Sequence, residues 1–140
     1  MSAGKERISI KQVMKPNTTD PEALISWFCE TFDLSGSTEK VEPEMLSEIV
    51  NASFKGNGVS SKELNKKLKT PRTTVIYHLN RFISCGLVVR KGTRYYLRSA
   101  DMESTIEELR AEMLNEFRRM MKLAEALDAM FLDDFDGGEE

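Results

Sequence analysis

The chain is poor in the residues that most chemistry needs. Its 140 residues include two cysteines, one histidine, one tryptophan and four prolines. Cys29 and Cys85 lie far apart and make no disulfide framework, which suits a reducing, cytoplasmic compartment. There is no H-E-x-x-H, C-x-x-C, G-x-S-x-G or Walker-type Gly-rich loop. With no nucleophile–base pair and no clustered ligand set, neither an enzyme nor a metal or other cofactor is expected. No run approaches the roughly 18 apolar residues of a membrane span, and no charged-then-apolar leader opens the sequence. A soluble chain of one main domain is the expectation.

What is present is concentrated between Val59 and Leu97. Ser60 precedes Glu63 by three residues, a capping box, with Val59 and Leu64 flanking it as a hydrophobic staple. Leu64 and Leu68 share a helical face. Thr70 as N-cap and Pro71 at the first helical position start a second helix, leaving about two residues, Lys69 and Thr70, for the turn. In that helix, spacing turns Val75, Leu79, Phe82 and Ile83 inward, leaving Arg72, Thr73, Tyr77, His78 and Arg81 for the opposite side. Gly86 ends it. An apolar strand from Leu87, a basic tip at Arg90–Arg94 and a return through Tyr95, Tyr96 and Leu97 complete a hairpin. Helix, tight turn, helix and hairpin together describe a winged helix-turn-helix, whose second helix enters the DNA major groove.

Charge indicates what this unit faces. Residues 55–98 hold eleven Lys or Arg against one acid, a net of +10. Residues 1–54 carry five bases and nine acids, and residues 99–140 four and thirteen, so flanks of −4 and −9 bring the whole chain to −3. A solvated surface would mix both signs; a basic stripe on a groove-shaped element is the footprint of a nucleic-acid binder.

The stretch TPRTTVIYHLNRFISCGLVVRKGTRYYL resembles the recognition helix and wing of winged-helix bacterial and archaeal transcription regulators, most closely the ArsR-like class. Thr73, Thr74, Val75, His78, Leu79, Gly86, Leu87, Val88, Tyr95 and Tyr96 carry the resemblance, which spans about residues 43–98. Ile76 departs from the small polar residue often found there. The resemblance implies a DNA-binding transcriptional regulator and leaves operator and effector open. Metal sensing is frequent in that class, but two distant cysteines do not supply a site.

The remaining segments fit around this unit. Residues 1–19 hold Lys5, Arg7, Lys11 and Lys15 and read as a flexible basic arm, which in a functional reading touches DNA. Asp20-Pro21 starts an extra N-terminal helix within 20–34, apolar nearly all round through Leu24, Ile25, Trp27, Phe28 and Phe32. Core packing is its plain role and the lining of an effector pocket its functional one; Cys29 among these residues reads as a small buried hydrophobe. Residues 34–40 read as a loop. Pro43 opens a helix with Met45, Leu46, Ile49, Val50 and Phe54 on its inner side, closed by Gly56-Asn57-Gly58.

Beyond the unit, Ser99-Ala100-Asp101 caps a long helix over 99–132. Ile106, Leu109, Met113, Phe117, Met120, Ala124, Leu127 and Phe131 step by threes and fours, a heptad rhythm from Phe117 onward. That length exceeds what so small a domain covers, so a self-pairing dimerisation helix is expected. The acidic tail 133–140 reads as disordered.

The expected fold is thus mainly α with a small β-hairpin wing, a winged helix-turn-helix over 20–98 with a long C-terminal helix. The expected function is sequence-specific binding of double-stranded DNA by a homodimer. Recognition helix 70–86 lies in the major groove and wing 88–97 on the backbone. Lys66, Lys67, Lys69, Arg90, Lys91 and Arg94 neutralise phosphates, with Thr70, Thr74 and Thr93 beside them; Arg72, Thr73, Tyr77, His78 and Arg81 read bases. A protein-interaction module, whose basic face meets an acidic partner, and a regulator that also senses a small effector are the alternatives.

Overall fold

The computed structural model describes residues 10–17, 20–34 and 41–138, the side chains of 135–138 excepted. The chain divides into two compact units, residues 1–105 and 106–140. It is mainly helical, in the order α1 (Pro21–Thr31), α2 (Val41–Phe54), β1 (Val59–Ser60), α3 (Ser61–Leu68), α4 (Arg72–Ser84), β2 (Val88–Lys91), β3 (Arg94–Leu97) and α5 (Met102–Gly138).

Local chemistry sets most of the ends. Asp20 caps α1, its carboxylate accepting from the Ala23 N–H, with Pro21 in the first turn. α2 begins at Val41, two residues before the expected Pro43. Its end is a Schellman turn: Gly56 N–H donates to Ser53 O and Asn57 N–H to Ala52 O, with Gly56 at φ +85°. The capping box of α3 is complete, Glu63 N–H to Ser60 Oγ at 3.1 Å and Ser60 N–H to Glu63 Oε1 at 3.0 Å.

The α3–α4 turn is one residue longer than expected. Lys69 caps α3 in the left-handed region (φ 52°), and Pro71, not Thr70, is the N-cap of α4, without a side-chain bond. The Thr70 hydroxyl instead turns back to Leu68 O at 3.1 Å, while Asn65 Nδ2 holds Thr70 O at 2.5 Å. A second Schellman turn ends α4, with Gly86 N–H to Ile83 O and Leu87 N–H to Phe82 O.

The hairpin pairs Val88 with Leu97 and Lys91 with Arg94, so its turn is Gly92-Thr93, with Gly92 at φ +66°. Glycine at the first of two turn residues suits the right-handed strand twist. A third strand not expected from the sequence, β1, pairs Val59 with Tyr95 and Ser60 with Arg94, giving the antiparallel order β1-β3-β2. Gly58 allows this close approach: a Cβ there would stand 2.6 Å from the Tyr96 ring and 2.9 Å from Tyr95 O, at φ +66°.

The core of the first unit gathers Cys29, Phe32, Met45, Leu46, Ile49, Leu64, Val75, Leu79, Phe82, Leu87, Val88 and Leu97. Phe54, expected inside, is 66% exposed. Its neighbour Ser53 faces the sheet instead, its Oγ accepting the Leu97 N–H at 2.8 Å. The described part of the expected free arm is tied to α1. Lys11 N–H donates to Thr31 O, Lys11 pairs with Asp33, and Trp27 Nε1 donates to Val13 O. Residues 1–9 and 35–40 lie outside the described residues.

The second unit is the body of α5. The helix is 37 residues long, about 55 Å at 1.5 Å per residue, and continues through Asp133 to Gly138 where a disordered tail was expected. Its cap is Asp101, which accepts the Ser104 N–H at 2.7 Å. Leu109 is buried and Ile106 and Met113 half-buried, while every residue from Leu114 to Asp134 is exposed. No helix among the described residues is long and apolar enough to cross a membrane.

Candidate nucleic-acid interface

The outward face of α4 steps along one side of the helix at Thr73, Tyr77, Asn80 and Ser84, with Arg72 at its start, all exposed. Tyr77 is 58% exposed. Thr74 and Ile76 are half-buried at the margins. Asn80 went unnoticed in the sequence, although its step of three from Tyr77 places it on this face.

His78 was expected on that face and is not there. It is 7% exposed, with Nδ1 3.1 Å from Oε2 of Glu42, a carboxylate itself 2% exposed. The approach is within ion-pair reach but off the line of a hydrogen bond, and Glu42 Oε1 has no hydrogen-bond partner. The reason lies in the wheel: His78 is three residues after Val75 and four before Phe82, both buried. Arg81, also expected outside, is half-buried and spends its guanidinium on Leu34 O (3.2 Å) and Asp33 O (2.7 Å), fastening the end of α1.

The basic residues divide in the same way. Lys66 and Lys69 on or beside α3, and Arg90, Lys91 and Thr93 on the hairpin, are exposed; Lys62 is exposed as well. Lys67 is exposed and pairs with Glu48 at 3.0 Å. Thr70 is buried in the turn. Arg94 is a structural tie: Nε donates to Asn57 O (2.8 Å), and Nη2 reaches Gly58 O (3.2 Å) and Glu63 Oε1 (2.9 Å). The Ser60 backbone N–H, and then Arg94, hold the Glu63 carboxyl below the usual carboxylate range. Within the hairpin, Lys91 sits over the Tyr96 ring at 5.3 Å and Arg90 over Tyr95 at 5.8 Å, which keeps both heads on the strand surface.

α4 packs against both α3, which carries the exposed Lys62, Lys66 and Lys67, and β2, which carries the exposed Arg90 and Lys91. Its own exposed face is carboxylate-free and offers hydrogen-bonding groups suited to a ligand with flat polar edges.

Elsewhere the chemistry is sparse. Burial first, then the Glu42 carboxylate and Cys85, push the Cys29 thiol up to about 12. No group of three or more His, Cys, Asp or Glu able to hold a metal occurs among the described residues. A cleft of about 520 Å³ lies between α1, α2 and the end of α3, its lining including Ile25, Ser26, Pro43, Ser47, Lys67 and Leu68. Trp27, Phe28 and Phe32, the aromatic residues considered for an effector pocket, are not in its lining. Of the α5 stripe, Phe117, Met120, Ala124, Leu127 and Phe131 are exposed, unlike Ile106, Leu109 and Met113. No protein-family model, no curated protein and no solved structure matches the chain.

Proposed function

We propose that this chain is a homodimeric, sequence-specific double-stranded DNA-binding regulator of transcription, with the first unit acting as a winged helix-turn-helix. In this reading α3 and α4 are the helix-turn-helix, α4 enters the major groove, and the β2–β3 hairpin is the wing on the backbone. One observation carries it: the exposed face of α4, Arg72, Thr73, Tyr77 and Asn80, has no acid, and both elements α4 packs against, α3 and β2, carry exposed cations.

The division of labour is narrower than the residue types suggest. Lys66, Lys69, Arg90 and Lys91 meet phosphates and set the register; Arg72, Thr73, Tyr77 and Asn80 meet base edges. His78, Arg81 and Arg94 hold the frame. Lys67 joins the phosphate contacts only by exchanging Glu48 for DNA.

Binding of the purified protein to random-sequence duplex, titrated with salt, tests the reading. The logarithm of the affinity falls against the logarithm of salt concentration by about 0.9 per phosphate contacted. A slope equivalent to several phosphates, reduced by Arg90→Glu with Lys91→Glu, is expected. No binding at low salt refutes the DNA role and directs attention to an acidic protein partner.

A further inference from the structure

We infer that Asn80 is a specificity-determining residue of the α4 face and that it selects an adenine in the major groove. This rests on the reading above that α4 lies in that groove, and adds which base one of its side chains demands.

The polar side chains of α4 differ in what they are free to do. Arg81 is spent on Asp33 O and Leu34 O, and His78 faces Glu42 in the core. Tyr77 is held in place, with Arg81 over its ring at 5.8 Å and the His78 ring edge-on to it at 5.1 Å. Arg72 and Asn80 are exposed, and neither side chain makes a hydrogen bond or ion pair with another described residue. The amide of Asn65, by contrast, is taken up by Thr70 O in the α3–α4 turn.

Nor does Asn80 serve the helix itself. Asparagine favours caps and turns, where its amide bonds nearby backbone, and it is a weak helix former elsewhere. Here it stands inside α4, which runs on to Ser84 and ends with Cys85 as its C-cap. It lies one turn after Tyr77 and two after Thr73, on a helix that contains no acid.

An amide carries a donor and an acceptor side by side. In the major groove only adenine offers the complement on one base edge, the N7 acceptor beside the N6 amino donor. Asn80 Nδ2 donates to N7, and Oδ1 accepts from the N6 amino group. The hydroxyls of Thr73 and Ser84 either donate or accept and discriminate weakly. The guanidinium of Arg72 only donates, which suits the two acceptors of guanine. Arg72 and Asn80 are eight residues apart, a rise of about 12 Å, so they meet different base pairs.

Selection of bound duplexes from a random-sequence pool, followed by binding to the selected site, tests this with the full chain. The parent should enrich an A·T pair at one position of each half-site, which Asn80→Ala no longer distinguishes while the other positions hold. On the selected site Asn80→Ala should lose about 5- to 150-fold in affinity. On random duplex it should keep the parent's affinity and salt slope, because no phosphate contact is removed. Alanine suits an exposed helical position, so an undiminished thermal midpoint is expected. Replacing the selected adenine by 7-deazaadenine, which lacks the N7 acceptor, should weaken the parent and leave Asn80→Ala unaffected. Equal weakening of both proteins by the modified base, or an A·T preference that survives Asn80→Ala, overturns the inference. So does a parent that binds duplex but enriches no sequence. A parent that binds no duplex at low salt removes the DNA reading itself, which separates the two failures.

Discussion

His78→Ala removes one member of a pair in which Nδ1 stands 3.1 Å from the Glu42 carboxylate, the two side chains being 9% and 2% exposed. Taking away one partner leaves a buried carboxylate whose other oxygen already lacks a hydrogen-bond partner. Leaving a buried acceptor without a neighbouring donor costs about 1–3 kcal/mol, against a total stability of about 5–15 kcal/mol for a domain. With a urea slope of about 1–3 kcal/mol per molar, the midpoint should fall by about 1 M with the slope unchanged. The double variant Glu42→Met with His78→Leu behaves differently, because it removes both buried polar side chains, the unfilled acceptor included. Such replacements range from neutral to about 4 kcal/mol more stable. The double variant should also bind duplex DNA with the affinity and salt slope of the parent, since His78 faces the core. Three results would refute the reasoning: a loss under about 1 kcal/mol for His78→Ala, a double variant as unstable as the single, or a stable double variant that no longer binds DNA.

Other outcomes follow from single contacts. Gly58→Ala should destabilise by more than the roughly 1–2 kcal/mol of a left-handed residue, because Tyr95 O and the Tyr96 ring block its Cβ; the thermal midpoint reads this directly. Ser60→Ala opens the capping box and should cost about 1 kcal/mol in urea unfolding. The Glu63 carboxyl is held low in the folded chain, so its contribution is present above the unfolded carboxylate range and is lost as pH falls through the folded value. Glu63→Gln should flatten that part of the acid stability profile. Cys29, raised to about 12 chiefly by burial, should resist maleimide labelling at neutral pH until the chain is unfolded; rapid labelling of the native protein would contradict the burial. Arg72→Ala should cost about 1–3 kcal/mol on a selected site and relax its specificity, and equal losses on cognate and random duplex would place Arg72 on the backbone alone.

The sequence by itself determined what depends on near neighbours. The capping box at Ser60 and Glu63, the Asp20-Pro21 start and the glycine-ended helices at Gly56 and Gly86 satisfy backbone groups within a few residues, so residue type and spacing were enough. The hairpin and the alternation of charge along the chain were legible for the same reason. Only the tertiary structure decided which polar residues are spent on the frame. His78 shares a helical face with Val75 and Phe82, but its polarity argued for the outside until Glu42, thirty-six positions earlier, was there to receive it. Arg81 and Arg94 looked like free cations. Their partners, Asp33 and Leu34 for one and Asn57, Gly58 and Glu63 for the other, lie more than thirty positions away and become neighbours only when the helices pack. Strand β1 is two residues long and has no periodicity of its own; it exists because β3 offers it an edge. Local hydrogen bonding is written in short spacings, whereas the use made of a charge depends on what folding brings within about 3 Å of it.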